Sequence, residues 1–433
     1  MAGQLLLGLS ILVILHELGH YLAARAFGIK IEKFYLFFDA YGFKLFKFKY
    51  GDTEYGIGWL PLGGYVKIAG MIDESMDTEQ MAQPVQPWEF RAKPAWQRLI
   101  VMLGGIIVNI IVGIVIFWLM TFNYGQTFTP NSALTNGIHA GAVGQEIGLK
   151  SGDKIIAING QKVVRFEEIK SSKVLLDKTT LTVIRDNKTL YVKVPDNFLD
   201  KIANNKGTFV EPRYTATVDS ILPNSPSAKA GLRKGDKIVG VNQKGIRFQD
   251  ELKSSILAAK NTTVNLRVMR NEQAVDLKVA VDSLGAIGFF NDVSEIKRET
   301  THYSFLESFP IGVSMAYSTF MDNLKGITKI IKGDASARNI SSPIGIAKIY
   351  GAEFDWIKFW SLTALISIGL AFMNLLPIPA LDGGHVVFLL IEMVKGSPVS
   401  EVVMEKAQIA GFLILISLMV FAFGNDILKF FGI

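Results

Sequence analysis

The sequence predicts a multi-pass α-helical membrane protein, with four transmembrane helices and a membrane-associated β-region, that carries two extracytoplasmic α+β domains. Three observations predict it: apolar runs long enough to span a bilayer towards both ends, a long polar middle between them, and a repeat inside that middle. The 433 residues are 49% hydrophobic and only 19% charged, against about 25% charged in a soluble domain. With nearly half the residues apolar and neither sign of charge dominant, disorder is excluded. There is no cysteine, which removes disulfides, thiolate zinc sites, iron–sulfur ligation and a cysteine nucleophile. Any metal must be held by carboxylates and the five histidines.

Crossing a hydrocarbon core of about 30 Å takes about 20 helical residues. Residues 99–122, 359–381 and 407–425 meet that requirement, giving spans over 98–122, 357–381 and 407–425. A fourth run, 1–24, is apolar except for His16, Glu17 and His20. It lacks the basic start and the small-residue cleavage site of a signal peptide, so 1–27 reads as a retained first span.

Lysine and arginine close to the spans set the topology. Arg25, Lys30, Lys33, Lys44, Lys47 and Lys49 follow the first span, and Arg91, Lys93 and Arg98 precede the second. That side is therefore expected to be cytoplasmic. The polar middle and both termini then lie outside the cytoplasm, and residues 382–406 form a loop inside. This bias also accounts for the formal charge of +6. No arginine-rich face with interleaved aromatics is present, so no nucleic-acid partner is expected.

Between the first two spans, 34–71 reads as strands and glycine-broken loops: Phe43 to Tyr50, a turn at Gly51-Asp52, then Tyr55 to Ile68. Lysines mixed with Trp59, Leu60, Leu62 and Tyr65 suit a sheet at the membrane interface. An edge of it is expected to pair with an extended substrate strand, or to act only as a cytoplasmic cap.

In the polar middle, Gly148-Leu-Lys-Ser-Gly-Asp-Lys-Ile-Ile-Ala-Ile-Asn159 recurs at an offset of 83 residues as Gly231-Leu-Arg-Lys-Gly-Asp-Lys-Ile-Val-Gly-Val-Asn242. A short helical pattern and a hairpin pattern follow each copy, with turns at Asp186-Asn187 and Asn271-Glu272. Two small domains over 125–208 and 209–291 result. The shared signature resembles that of PDZ domains, which add an extended peptide end to a sheet edge; such a pair binds peptide ends or substrate ectodomains, or serves as a spacer or filter. Asp153 and Asp236 are expected to cap backbone amides of the turn. Further on, 305–332 has helical apolar spacing with Lys325, Lys329 and Lys332 late in the run, the pattern of an amphipathic helix on the outer leaflet of the lipid bilayer.

His16-Glu-Leu-Gly-His20 puts two imidazoles one helical turn apart on one face, where both can hold one zinc ion, while Glu17 can reach a water at the metal. Ionisable groups inside a span are costly and mark functional sites. Catalytic zinc takes a third protein ligand and keeps one open position. Asn374-Leu-Leu-Pro377-Ile-Pro379-Ala-Leu-Asp382-Gly383-Gly384-His385 supplies candidates, because Pro377 and Pro379 force the third span to unwind beside an aspartate. Asp382 is the preferred ligand and His385 the rival. Asn374 can hold a substrate carbonyl or satisfy a freed backbone group. At 1.5 Å per residue, His16 and His20 lie roughly 20 to 27 Å from the outer end of the first span, on the same cytoplasmic half as Asp382.

Together, the HExxH motif in the first span, the Asn-x-x-Pro-x-Pro-x-Leu-Asp-Gly motif in a later one and the two PDZ-like repeats resemble the site-2 protease family of intramembrane zinc metalloproteases. The tandem pair is similar to the bacterial RseP type, the regulators of sigma-E protease. Gly63-Gly64-Tyr65-Val66-Lys67 is similar to a Gly-Gly-Tyr-Val-Lys stretch of that family, and Ser342-Pro-Ile-Gly345 to its Gly-Pro-(Ile/Val)-Gly segment. Gly105-Ile-Ile-Val-Asn109 is similar to its Gly-Pro-x-x-Asn segment without the proline.

The resemblance implies that His16, His20 and Asp382 hold Zn²⁺, that Glu17 is the general base, and that Asn374, the 63–67 stretch, Pro377 and Pro379 meet the substrate. It further implies a bacterial cytoplasmic (inner) membrane enzyme acting on membrane-spanning proteins already trimmed by another protease, such as anti-sigma factors, or on remnant signal peptides. Two other classes fit parts of the pattern: a zinc peptidase acting on extracytoplasmic soluble proteins, and a non-catalytic PDZ scaffold.

Overall fold

The computed structural model describes residues 1–61, 63–71, 83–204, 208–339 and 342–430; Leu62 of the expected interfacial sheet lies outside them. The chain divides into two units, the first made of Met1–Gly125, His302–Ile331 and Ser336–Ile433. Among the described residues four helices are long and apolar enough to cross a membrane, and all four belong to this unit. The protein is a multi-pass membrane protein.

Helix α1 (Ala2–Ala26) carries the histidine pair. Four strands follow, β1 (Ile31–Leu36), β2 (Lys44–Tyr50), β3 (Thr53–Gly58) and β4 (Tyr65–Ile68), in the order β2-β3-β1-β4. Tyr50 pairs with Thr53 across the two-residue turn, where Gly51 has φ 61°, a conformation glycine adopts without strain. β1 runs parallel to β3 and antiparallel to β4, which leaves β4 at an edge. The sheet starts at Ile31 rather than at 34, since Ile31 is a core residue that packs with Val66 and Ile68 of β4 and with Val101 and Met102 of the next helix.

That helix, α2 (Ala95–Tyr124), lies unusually close to α1. A Cβ on Gly19 would strike the carbonyl of Gly104, and one on Gly104 would strike the carbonyl of Gly19. Small residues at such crossings let membrane helices meet backbone to backbone.

Helix α3 (Phe305–Lys332) is the expected amphipathic helix. It does not simply rest on a surface: Phe305 and Phe309 pack on Trp118 of α2, and Ala316 joins a core with Phe117, Ala364 and Ile368. Helix α4 (Pro343–Tyr350) follows Ser342. Helix α5 (Trp356–Leu375) starts where Asp355 accepts from the Lys358 N–H and stops before Pro377 and Pro379, as proline requires.

The sequence expectation of a loop over 382–406 is corrected here. Asp382 begins helix α6 (Asp382–Lys395), which ends on Gly396 at φ 76°, a left-handed cap. Fourteen residues are too few to span a bilayer, so the apolar-run criterion could not see this helix. It packs Val386 and Leu389 into the core shared by α1, α2 and the sheet. Helix α7 (Glu401–Phe430) is the last span. Asp426 holds it to α4, accepting from the backbone of Ser342 at 2.9 Å and of Gly345 at 3.2 Å.

The second unit, Gln126–Thr301 with Lys332–Ala335, contains both sequence repeats, each with its own apolar core. In each, the strand of the signature (Lys154–Ile158 or Lys237–Val241) pairs with a hairpin: Thr179–Arg185 with Lys188–Val194, and Thr263–Arg270 with Gln273–Ala280. Both turn residues are left-handed in each hairpin, the geometry of a two-residue β-turn. The first repeat runs past 208, because Phe209 and Val210 belong to its core and Val210–Pro212 pairs with Ile138–Ala140. Asp153 and Asp236 accept the backbone N–H of Lys150 and Arg233, both at 2.8 Å. Each also takes two hydrogen bonds from an arginine, Arg185 or Arg270.

Candidate metal centre

Helical spacing sets the two imidazoles of α1 one above the other, with ring centroids 4.8 Å apart and planes at 82°. What they lean on is the bare backbone of α2: a Cβ on Gly105 would overlap both rings. His20 is buried, and its Nδ1 donates to the carbonyl of Val101 at 2.8 Å. With the proton there, Nε2 keeps its lone pair free. His16 Nδ1 lies 3.2 Å from the side-chain amide of Asn109, which is fully buried. The two helices thus hold both rings from behind.

The third group arrives from the break between α5 and α6. Ala380 sits there at φ 94°, a strained conformation for a residue with a Cβ. Gly383 and Gly384 are wedged against carbonyls of Leu376 and Ile378 so closely that any side chain would collide. This folds the first turn of α6 back towards α1 and points Asp382 at the histidines. Its Oδ2 lies 3.3 Å from Nε2 of His16 and 3.3 Å from Nε2 of His20, and the two nitrogens are 3.2 Å apart.

Those three edges test whether a metal fits. Ligand atoms about 2.0–2.1 Å from a tetrahedral zinc are about 3.3 Å from one another, which is the triangle found. Asp382 Oδ2 is buried and in hydrogen-bond geometry with no group, as expected of an oxygen aimed at a point it shares with two nitrogens. Among the described residues this is the one cluster of three or more such ligands. The nitrogen and oxygen donors suit zinc, and three protein ligands would leave a catalytic zinc a position for water or substrate.

His16, His20 and Asp382 line a cavity of about 920 Å³. Glu17, Asn374, His385 and edge strand β4 line it. Residues 4–418 match peptidase family M50. The chain belongs to that family. It is 31% identical to the regulator of sigma E protease of Haemophilus influenzae, covering 99% of this chain and 98% of that protein. It is 30% identical to the regulator of sigma-E protease RseP of Salmonella typhimurium, covering 97% of each. The protein is a zinc metalloprotease of the site-2 type.

In this M50 peptidase the residues expected from sequence gather unevenly. Asn374 comes within 3.3 Å of His16 Nε2. Gly64, Tyr65, Val66 and Lys67 lie on the cavity wall, and Gly64 abuts Val13 and Glu17 of α1. Tyr65 stacks between Tyr35 and Phe38 and donates to Asp39 at 2.8 Å. Burial pushes the Asp39 carboxyl up, but that hydrogen bond and Lys33 hold it below its ordinary range. Gly63, Pro377 and Pro379 are not among the residues that line the cavity. His385, the rival ligand, lines the cavity one turn past Asp382 and is outside the ligand triangle. Asn109 and Gly105 carried a family likeness in the sequence but no link to the histidines, because the contact is made between helices.

Proposed function

We propose that this peptidase cuts within the transmembrane segments of membrane-anchored proteins, in regulated intramembrane proteolysis, with His16, His20 and Asp382 as zinc ligands. The convergence of Nε2, Nε2 and Oδ2 at 3.2–3.3 Å carries the reading. Bound zinc would polarise the scissile carbonyl and acidify the attacking water. Glu17, on the cavity wall beside the ligands, takes the water's proton and returns it to the departing amide nitrogen. The Asn374 amide, 3.3 Å from a ligand nitrogen, is in position to donate to the carbonyl oxygen as charge builds there.

A helical substrate hides its peptide bonds, so it must be held extended for attack. β4 offers an edge with Tyr65 to Lys67 along the cavity, and a strand added to that edge would pass the Gly64–Glu17 contact. Substrates of this kind are single-span proteins pre-trimmed by another protease, including anti-sigma factors, and remnant signal peptides. The two repeats, read as PDZ-like domains outside the cytoplasm, would meet peptide ends or substrate ectodomains. The lysine and arginine bias around α1 and α2 supports an active site in the cytoplasmic half of the inner membrane.

Purified protein incubated with a reporter transmembrane peptide tests the proposal. Wild type should cleave it, and Glu17→Gln should keep its zinc while losing cleavage by several orders of magnitude. Wild-type rates in Glu17→Gln would remove the general base from the account.

A further inference from the structure

Gln408 is a buried polar residue where the last long helix turns apolar, two residues after Lys406. It lies on α7, is 91% buried, has no hydrogen-bond partner among the described residues, and lines the cavity of the metal centre. A carboxamide that borders the cavity with no protein partner has its donor and acceptor available to whatever enters. The helix that carries it is fixed at this level. Gly411, one turn on, lies directly against the Pro379 carbonyl, where any side chain would overlap it. Phe412 adds an apolar face to the same cavity.

The chemistry of an extended chain in this cavity supplies the partner. A strand paired to the β4 edge satisfies the N–H and C=O groups on one of its sides. Those on its other side still face a low-dielectric space in which each unpaired backbone group is costly. A glutamine side chain offers both a donor and an acceptor, so it can take a C=O and an N–H of such a strand. We propose that Gln408 binds the backbone of the unwound substrate near the scissile bond, as a specificity element for extended polypeptide of any side-chain sequence. This rests on the intramembrane endopeptidase reading above.

The test uses Gln408→Met, which keeps the length and removes the hydrogen bonds. Full-length wild type and variant are compared on one reporter transmembrane peptide, and on a series in which single backbone amides near the cut are replaced by esters. The variant should lose about tenfold in kcat/KM, a loss on the scale of a hydrogen bond to a buried group. Its zinc content and Tm should be unchanged, because no protein hydrogen bond is removed. At one ester position wild type should lose about tenfold while the variant loses nothing more. Equal kcat/KM for variant and wild type, equal ester effects in both, or a variant that fails to fold would each overturn the assignment while leaving the protease reading intact. A wild type that binds zinc and cleaves no transmembrane peptide would overturn that reading, and this inference with it.

Discussion

Gly105 of α2 lies flat against the imidazole of His16, so close that a single methyl group would overlap Cε1 of the ring. The same methyl would meet Nε2 of His20. The metal centre therefore depends on an absent side chain in a helix that contributes no ligand. Gly105→Ala should displace both rings and weaken zinc binding about 10–100-fold, the usual range for outer-shell changes, with the helical content of the protein preserved. Competition with a chelator measures the affinity, and circular dichroism the fold. Unchanged affinity would mean that α1 can retreat from α2.

Asn109 should act on the same ring by holding it. Its Nδ2 is placed 3.2 Å from His16 Nδ1 while its buried Oδ1 has no partner, so turning the amide over presents an acceptor to the ring. A histidine that binds metal through Nε2 carries its proton on Nδ1 and needs an acceptor there. Asn109→Leu should lower zinc affinity about 10–100-fold, and Asn109→Asp, which keeps an acceptor, should recover most of it. Equal affinities in wild type and Asn109→Leu would assign the contact to packing alone.

In the repeats, Asp153 and Asp236 are each 1% exposed and each is gripped by one arginine. Removing one partner of a buried pair leaves a charge without compensation, at a cost of about 3–5 kcal/mol. Arg185→Ala and Arg270→Ala should each destabilise their own repeat by about that much. Denaturant melts with the other repeat as internal reference would show it, and losses under about 1 kcal/mol would contradict the pairing.

Asp250 gives a pH dependence. Burial pushes its carboxyl up, but His139 3.7 Å away and the two hydrogen bonds of Arg213 outweigh this and bring it down to about 2. Glu251 shares the same arginine at 2.9 Å. The folded value lies below the unfolded one of about 3.9, so the stabilisation is fully present above pH about 4 and is lost as pH falls through about 2. It amounts to about 2 kcal/mol for a shift of this size. Asp250→Asn should lower stability at neutral pH and flatten the acid limb of the stability curve. An acid limb of the same slope in the variant would place the titration elsewhere.

Much of this was readable in the chain, and what was missed has a common cause. Periodicity and length exposed the candidate spans, and the histidine spacing with the broken proline segment exposed the three candidate ligands, because those signals are local. The repeat was plain in its Gly-Leu-x-x-Gly-Asp turn, and even the amide caps of Asp153 and Asp236 followed from it. Their arginine partners are set by strand pairing across the domain, 32 and 34 residues away, and no local pattern announces them. Helix α6 escaped because it is too short to register as a span. Gly105 and Asn109 stand out only through contacts between helices and Gln408 only through the cavity it lines, and inside an apolar run each looks like an ordinary residue.

The central claim is that one zinc ion is held by His16, His20 and Asp382, and its most direct test is the metal content of the purified protein. Wild type should contain one zinc per chain by elemental analysis, and His20→Ala and Asp382→Ala should each contain less than about a tenth of that, with the fold retained. Stoichiometric zinc in both variants, or none in wild type purified without chelator, would contradict the claim.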